Sequence, residues 1–266
     1  MSLKICLAGA TGGVGRQLAR AILAAHDLVL HSAVARRAAG QDIGTAIGEN
    51  PAGITVQADI EGALDAKPDV LVDYTHPSAI KRHVLAAVAR KIPVVVGTSG
   101  MNAADHDEIE RAAAKAGVGV ATGNFALTAA LMQHFALIAA RYVPHWEVLE
   151  YCKAEKPDAP SGTATELAEQ LSAVRPPVYA IPPDKMIGPA GARGADIHGT
   201  RVHAVRLPGL SAACEVIFGM PGERIAIRHD MQSSDAIFVE GTLLAARKVQ
   251  DFKGIVRGLD KLLFKG

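Results

Sequence analysis

Short apolar runs and longer helical stretches alternate along the first half of the chain. Residues 3–9 form an apolar run that ends in glycine, and Val14, Leu18 and Ile22 then recur at the spacing of one helix face. Further strand-like runs cover 28–35, 54–57, 69–73, 93–96 and 118–121, and helical stretches cover 78–90 and 102–116. Strands joined by helices of this length predict parallel pairing with right-handed crossovers. We therefore predict an α/β fold that begins with a doubly wound parallel sheet.

The pattern changes after residue 124. Helices are predicted over 128–141 and 161–173, with a strand over 145–152 between them. A proline-rich stretch follows at 175–183, and then a glycine-rich loop at 188–194, which we expect to be mobile. Three more strand-like runs, at 200–207, 214–218 and 224–229, are separated by Leu-Pro-Gly and Met-Pro-Gly-Glu turns, which predicts antiparallel pairing. A last amphipathic helix is predicted over 237–249.

Composition and charge narrow the class of protein. The 266 residues are 49% apolar and 21% charged, and the formal net charge of +1 gives no reason to expect binding to nucleic acid or membrane. Cys6, Cys152 and Cys214 are too widely spaced for a disulfide framework or a metal-binding pair, and the histidines lack metal-ligand spacing. We see no signal peptide and no apolar run of about 18 residues that would span a membrane. We expect a cytoplasmic protein without a metal site.

A glycine-rich turn separates the first predicted strand from the first predicted helix. Gly9, Gly12 and Gly15 form a G-x-x-G-x-x-G pattern. In dinucleotide-binding folds the first glycine permits a tight turn, the second lets the backbone approach a pyrophosphate, and the third lets helix and strand pack closely. Free N–H groups and the dipole at the helix start favour anions there. We interpret the turn as a dinucleotide site, although a purely structural turn gives the same letters.

The end of the second predicted strand bears on the choice of cofactor. An NAD enzyme usually carries Asp or Glu there, about 20 residues after the glycine turn, to bind the ribose 2′-hydroxyl. This chain instead has Arg36 and Arg37, and no carboxylate that would repel a 2′-phosphate. The pattern favours NADPH, with NADH as the other option; the alternative is that both arginines are simply solvated surface residues.

A second helix start offers an anion site in the later half of the chain. Pro160 ends any preceding helix, and Ser161 or Thr163 can cap the helix that follows. Gly162 has no side chain to obstruct the first N–H groups, so a small carboxylate can dock on the backbone of 161–163. Lys156 lies just upstream and can supply a charge or a proton. The alternative is an ordinary helix cap beside a solvated lysine.

These motifs, taken in order, resemble those of the dihydrodipicolinate reductase family. KPDAPSGTA at 156–164 is similar to the family's substrate motif, and GATGGVG at 9–15 resembles its nucleotide loop. DYTHPSA at 73–79, VVGTSG at 95–100 and GNFALT at 123–128 resemble three further segments, and RVHAVRLPGL at 201–210 and EVIFG at 215–219 resemble its later strands. The likeness extends over nearly the whole chain.

The resemblance implies a two-domain architecture. A Rossmann domain over 1–125 is completed by 235–266, and an α+β domain with a mixed open sheet over 126–234 carries the substrate and a homotetramer interface. It further implies hydride transfer from a nicotinamide cofactor to a carboxylated cyclic imine, which would convert hydroxy-tetrahydrodipicolinate to tetrahydrodipicolinate in lysine and diaminopimelate biosynthesis.

Carried over by position, the resemblance assigns roles to named residues. Lys156 becomes the proton donor, and Gly162 and Thr163 bind a substrate carboxylate. Ser161 joins this site through its backbone N–H at the helix start. The cofactor contacts come from the glycine turn, one arginine and two later strand ends: Gly9, Ala10, Thr11, Gly12, Gly13, Val14, Arg36, Gly97, Thr98, Ser99, Thr122, Gly123, Asn124 and Phe125. Arg37 joins this set because of its charge.

Several positions depart from the family pattern. Cys152 stands where the catalytic histidine belongs, and Lys153 stands where a substrate-binding histidine belongs. Gly13 replaces a common arginine in the nucleotide loop, and 211–214 (SAAC) lacks a frequent histidine. Cys152 is a candidate proton donor, but a free cysteine more often packs as a small apolar residue. Lys153 keeps a cation near the carboxylate site.

Three functions compete on this evidence. The first is a dihydrodipicolinate reductase with altered acid–base groups. The second is a paralogous reductase of another carboxylated imine or enamine, and the third is a catalytically silent NADPH-binding protein. Retention of Lys156 and of the Ser-Gly-Thr turn counts against the third, because a silent protein has no chemical need of them.

Overall fold

The computed structural model describes residues 2–232 and 235–264. The chain divides into two compact units, Met1–Leu127 with Asp235–Gly266, and Thr128–Ser234. Each unit is described by itself.

The strands and helices of the described residues are numbered in chain order. The strands are β1 Leu3–Ala8, β2 Leu28–Val34, β3 Val56–Gln57, β4 Val70–Asp73, β5 Val94–Val96, β6 Gly119–Thr122, β7 His145–Cys152, β8 Ala195–Ile197, β9 Thr200–Arg206, β10 Ala212–Met220, β11 Glu223–Met231 and β12 Gly254–Arg257. The helices are α1 Gly13–Ala24, α2 Ile43–Ile47, α3 Ile60–Asp65, α4 Pro77–Ala89, α5 Ala103–Ala116, α6 Leu127–Tyr142, α7 Gly162–Val174, α8 Val239–Lys248 and α9 Leu259–Leu263.

The first unit is built on a seven-stranded parallel sheet, in the order β12-β6-β5-β4-β1-β2-β3. Every residue of β4 and of β6 is buried, as expected when helices cover both faces of a parallel sheet. The strand order reverses between β1 and β4, so the carboxyl ends of these strands border the crevice where such folds bind ligands. The predicted α/β fold with a doubly wound sheet is confirmed.

Helix ends in the first unit follow local chemistry. Asn102 and Asp105 form a reciprocal capping box at the start of α5, and Gly117 ends that helix in the left-handed conformation with φ 73°. The sequence analysis did not predict β12, because its four residues include only two apolar side chains. This strand pairs with β6.

The second unit contains a five-stranded mixed sheet, in the order β11-β10-β7-β9-β8. Alternate residues of β7 are buried, namely Trp146, Val148, Glu150 and Cys152. Trp146 and Val148 pack with apolar residues of α6 and α7, such as Met132 and Leu167, to form the core of this unit. The period of two along β7 therefore decides which side chains lie under the helices.

One predicted strand pairing is wrong. The runs at 200–207 and 214–218 were expected to pair with each other, but β7 lies between them: β9 runs parallel to it and β10 antiparallel to it. The physical reason is the long connection through α7, which allows a parallel crossover from β7 to β9. The antiparallel pairing of β10 with β11 is confirmed. Part of the loop predicted over 188–194 forms a 3₁₀ turn, Ala190–Arg193.

Candidate functional site

The turn between β1 and α1 is shaped by its glycines. Gly9 adopts φ +82°, and a Cβ there would lie 2.3 Å from the carbonyl oxygen of Tyr74. A Cβ on Gly15 would lie 2.0 Å from the carbonyl oxygen of Gly9. Gly9 therefore permits the tight turn and Gly15 the close packing of helix on strand, which are the roles that the sequence pattern indicated.

The start of α1 presents free backbone donors. The N–H of Gly12 donates to the Gly9 carbonyl at 2.9 Å, which closes the turn, and Ala10 donates to Val34 at 3.2 Å. The N–H groups of Gly13 and Val14, the first two of the helix, donate to no residue that the structure describes. Two unpaired donors at the start of a twelve-residue helix fit a dinucleotide phosphate. Thr11 completes the turn, and its carbonyl accepts from the Arg16 side chain at 2.9 Å.

Arg36 and Arg37 directly follow β2 in a 3₁₀ turn, Arg36–Ala38. Both side chains are exposed, and neither forms an ion pair with a described residue. Two uncompensated guanidinium groups at the end of the second strand are suited to a 2′-phosphate.

A buried carboxylate organises the ends of β4 and β5. Asp73 accepts from the backbone N–H of Thr75 at 2.8 Å and from its hydroxyl at 2.6 Å. It also contacts His83 Nδ1 at 2.7 Å and the Thr98 hydroxyl at 3.4 Å. The loop that contains Gly97, Thr98 and Ser99 is thus tied to the neighbouring strand end. Sequence reasoning missed His83, whose position on the inward face of α4 was the available signal.

The Tyr74 ring leaves no room for a side chain at position 97, which accounts for the glycine there. A Cβ on Gly97 would lie 2.0 Å from the Tyr74 ring, whose hydroxyl contacts Thr242 Oγ1 of α8 at 2.6 Å. At the end of β6, Thr122 and Phe125 are buried, Gly123 adopts φ +137°, and the Asn124 side chain accepts from the N–H of Ala126 at 2.9 Å. Because Phe125 is almost fully buried, its ring is part of the core.

In the second unit, Lys156 is held by a carboxylate. Its ammonium donates to both oxygens of Asp158, at 2.5 and 2.6 Å. The Lys156 ammonium holds the pKa of the Asp158 carboxyl below its usual range. Lys153 is exposed, its backbone N–H donates to Ser211, and its side chain has no ion-pair partner among the described residues.

The start of α7 offers two backbone donors rather than three. The Ser161 N–H donates to Glu150 Oε2 at 2.7 Å, and the Ser161 hydroxyl accepts from the N–H of Ala164 at 3.4 Å. The expectation that the Ser161 N–H is a ligand donor is therefore corrected: a buried carboxylate already uses it. The N–H groups of Gly162 and Thr163 have no partner among the described residues, and a Cβ on Gly162 would meet nothing within 4 Å.

A buried ion pair holds this helix start against β7. Arg206 Nη2 donates to Glu150 Oε1 at 3.0 Å and to the Asp158 carbonyl at 2.5 Å. The Glu150 side chain is 4% exposed and that of Arg206 15%. Sequence reasoning missed this pair, although Glu150 falls on the inward-facing positions of β7 with Trp146 and Val148.

Cys152 is the last residue of β7 and is 5% exposed. Its side chain lies on the same face of the strand as Glu150, and Cys214 of β10 is paired opposite Glu150. Burial, with the nearby Glu150 charge, raises the pKa of the Cys214 thiol to about 12. Cys214 is therefore not an acid at neutral pH.

Residues 2–232 and 235–264 contain neither a membrane-spanning helix nor a cluster of metal ligands. No helix in these ranges is long and apolar enough to cross a membrane. The same ranges hold no group of three or more His, Cys, Asp or Glu side chains arranged to bind a metal ion.

A Rossmann unit and a mixed-sheet unit, each with unpaired N–H groups at a helix start, define a class of two-domain, dinucleotide-dependent oxidoreductases. Residues 3–125 match the family described as dihydrodipicolinate reductase, N-terminus, and residues 128–263 match its C-terminus. The chain belongs to the dihydrodipicolinate reductase family.

Individual relatives agree over the full length. The chain is 42% identical over 265 residues to 4-hydroxy-tetrahydrodipicolinate reductase of Moorella thermoacetica, covering 98% of both chains. It is 40% identical over 272 residues to the enzyme of that name from Synechococcus elongatus, again covering 98% of both. Dipicolinate-bound dihydrodipicolinate reductase from Paenisporosarcina sp. TG-14 superposes with a TM-score of 0.84 at 30% identity, covering 98% of this chain and 99% of that one. An amine dehydrogenase from Mycobacterium smegmatis, 14% identical with a TM-score of 0.69, shares the fold alone.

Proposed function

We propose that this chain reduces 4-hydroxy-tetrahydrodipicolinate to tetrahydrodipicolinate, with NADPH as the preferred reductant, in lysine and diaminopimelate biosynthesis. The observation that carries the proposal is 42% identity, across 98% of both chains, to a relative with that activity in its name. The unpaired donors at the start of α7 support it, because a solved relative of the same family carries dipicolinate, a dicarboxylate.

The cofactor fits the first unit. The N–H groups of Gly13 and Val14 would hold the pyrophosphate, and Arg36 with Arg37 would hold a 2′-phosphate. The loops at 97–99 and 122–125 would border the nicotinamide. When bound, NADPH supplies the hydride.

The substrate fits the second unit. Gly162 and Thr163 would bind one carboxylate through their N–H groups, and Lys153 would supply a nearby positive charge. Lys156 would hold the proton that the reduced product gains, and Asp158 orients its ammonium. The Glu150–Arg206 pair would keep the helix start in place.

Cys152 favours a second candidate. Cys152 is buried and stands where the resemblance places a catalytic histidine, so a paralogous reductase of another carboxylated imine is the competing function. Restoring the family residue with Cys152→His separates the two. A gain in turnover of the family substrate supports our proposal, whereas no change supports the paralogue.

The direct test is spectrophotometric. The upstream condensation of pyruvate with aspartate semialdehyde supplies the substrate, and nucleotide oxidation is followed at saturating NADPH and then NADH. We expect turnover with both and a lower KM for NADPH. Nucleotide binding without any turnover would refute the proposed reaction.

Assembly and location complete the proposal. By analogy with the family we propose a homotetramer that functions in the cytoplasm. Light scattering coupled to size-exclusion chromatography tests the assembly, since a monomer or dimer at micromolar concentration would contradict it.

A further inference from the structure

A carboxylate lies against the first residue of α1. A Cβ built on Gly13 would lie 2.0 Å from Asp235 Oδ2 and 2.8 Å from Asp235 Cγ. Asp235 begins a 3₁₀ turn, Asp235–Phe238, which packs against α1 and leads into α8. The space that a side chain at position 13 would fill is therefore taken by an acidic group from a distant part of the chain.

The missing side chain at Gly13 makes this close approach possible. Because position 13 is a glycine, no side chain separates Asp235 from the backbone of the turn. The Asp235 carboxylate is exposed and has no ion-pair partner among the described residues. No described ion pair therefore compensates this charge, which lies against Gly13, the first residue of α1.

We propose that Asp235 sets the nucleotide affinity of this protein by repelling the cofactor pyrophosphate. The inference rests on the proposed function, because it requires a dinucleotide at the α1 turn. Like charges about 6 Å apart near a protein surface repel by an energy that corresponds to roughly a three- to tenfold loss of affinity after partial screening. The pyrophosphate is common to NADH and NADPH, so Asp235 weakens both equally, whereas Arg36 and Arg37 act on the 2′-phosphate alone.

Asp235→Asn tests the proposal, because it removes the charge and preserves the shape. The dissociation constants of NADH and NADPH are measured on the full chain by nucleotide fluorescence at low and high salt. We expect both constants to fall by about three- to tenfold at low salt, with their ratio unchanged, and the gain to shrink at high salt. The matched control is Glu240→Gln, an exposed acidic residue in the first turn of α8, for which no change is expected.

The outcomes separate the possible roles of Asp235. A residue that only supports the fold cannot improve affinity on replacement, so unchanged or weaker binding by Asp235→Asn would overturn the inference. An equal gain in Glu240→Gln would also overturn it, because the effect would then reflect net charge. Asp235→Ala repeats the test in case the amide introduced by Asp235→Asn forms new hydrogen bonds. Absence of nucleotide binding in every variant, wild type included, would instead refute the proposed cofactor site.

Discussion

The two glycine-containing helix starts, at α1 and at α7, are built on different physical grounds. At α1 the chain itself requires glycine, because a Cβ on Gly9 or Gly15 would overlap backbone atoms at 2.3 and 2.0 Å. At α7 the fold does not require glycine, since a Cβ on Gly162 would meet nothing within 4 Å. The α7 start is held instead by the buried pair of Glu150 and Arg206.

The difference teaches how to tell a structural glycine from a ligand-binding one. A glycine whose side-chain space is filled by its own chain serves the fold, and its replacement tests stability. A glycine whose side-chain space is open, at a helix start with free N–H groups, leaves room for a ligand, and its replacement tests binding.

The largest expected effect is a loss of stability when the buried Glu150–Arg206 pair at the start of α7 is broken. Glu150→Ala leaves the Arg206 guanidinium buried without its partner, which lowers the free energy of unfolding by about 3 kcal/mol. Trp146 is the single tryptophan of the chain and lies in the second unit, so urea denaturation followed by its fluorescence reports this unit.

Glu147→Ala is the matched control for that experiment. Glu147 lies on the same strand, but its carboxylate is 30% exposed and pairs with Arg193 and His203 near the surface. We expect it to cost about 1 kcal/mol or less. Equal losses from the two variants would show that the Glu150–Arg206 pair has no special role in holding the helix start.

The second prediction compares alanine substitutions at a glycine that the fold requires and at one whose side-chain space is open. Gly15→Ala forces a methyl group against the Gly9 carbonyl and destabilises the first unit by about 1–3 kcal/mol, as other overpacked sites do. Gly162→Ala leaves the stability of the second unit within about 0.5 kcal/mol, since helix starts tolerate alanine. It weakens binding of pyridine-2,6-dicarboxylate by about tenfold, because the methyl group occupies the space in front of the free donors.

Calorimetric titration of the dicarboxylate and thermal melts measure both halves of this prediction. Gly219→Ala, at another open glycine of the second unit, is the control and should bind the dicarboxylate normally. Unchanged dicarboxylate binding by Gly162→Ala would remove the α7 start from the substrate site.

The sequence predicts those features that neighbouring residues determine, and it misses those that depend on residues far apart in the chain. The β1–turn–α1 segment was predicted almost to the residue, because apolar periodicity and glycine sterics act over a few neighbouring positions. The pairing of β9 with β7 was not, because a crossover through α7 leaves no local pattern. The donor count at α7 was likewise overestimated, since the Ser161 N–H is taken by a carboxylate eleven residues away.

The third prediction concerns the proton donor. Lys156→Ala lowers kcat at least about tenfold, because general acid catalysis usually contributes a factor of about 10² or more, while NADPH affinity stays near that of the wild type. Lys185→Ala, an exposed lysine of the same unit, should have normal kcat. Steady-state kinetics with the condensation product of pyruvate and aspartate semialdehyde measure both. A normal kcat in Lys156→Ala would take this lysine out of the mechanism.

The smallest expected effect concerns the choice between cofactors. Replacing Arg36 and Arg37 together by alanine removes two unpaired guanidinium groups, so the dissociation constant of NADPH should rise about fivefold while that of NADH changes less than about twofold. Arg111→Ala, an exposed arginine of α5, should alter neither constant. A parallel loss of both nucleotides would mean that the arginines act on the shared part of the cofactor. The α1 turn would then bind through one general electrostatic attraction, rather than through separate sites for the pyrophosphate and the 2′-phosphate.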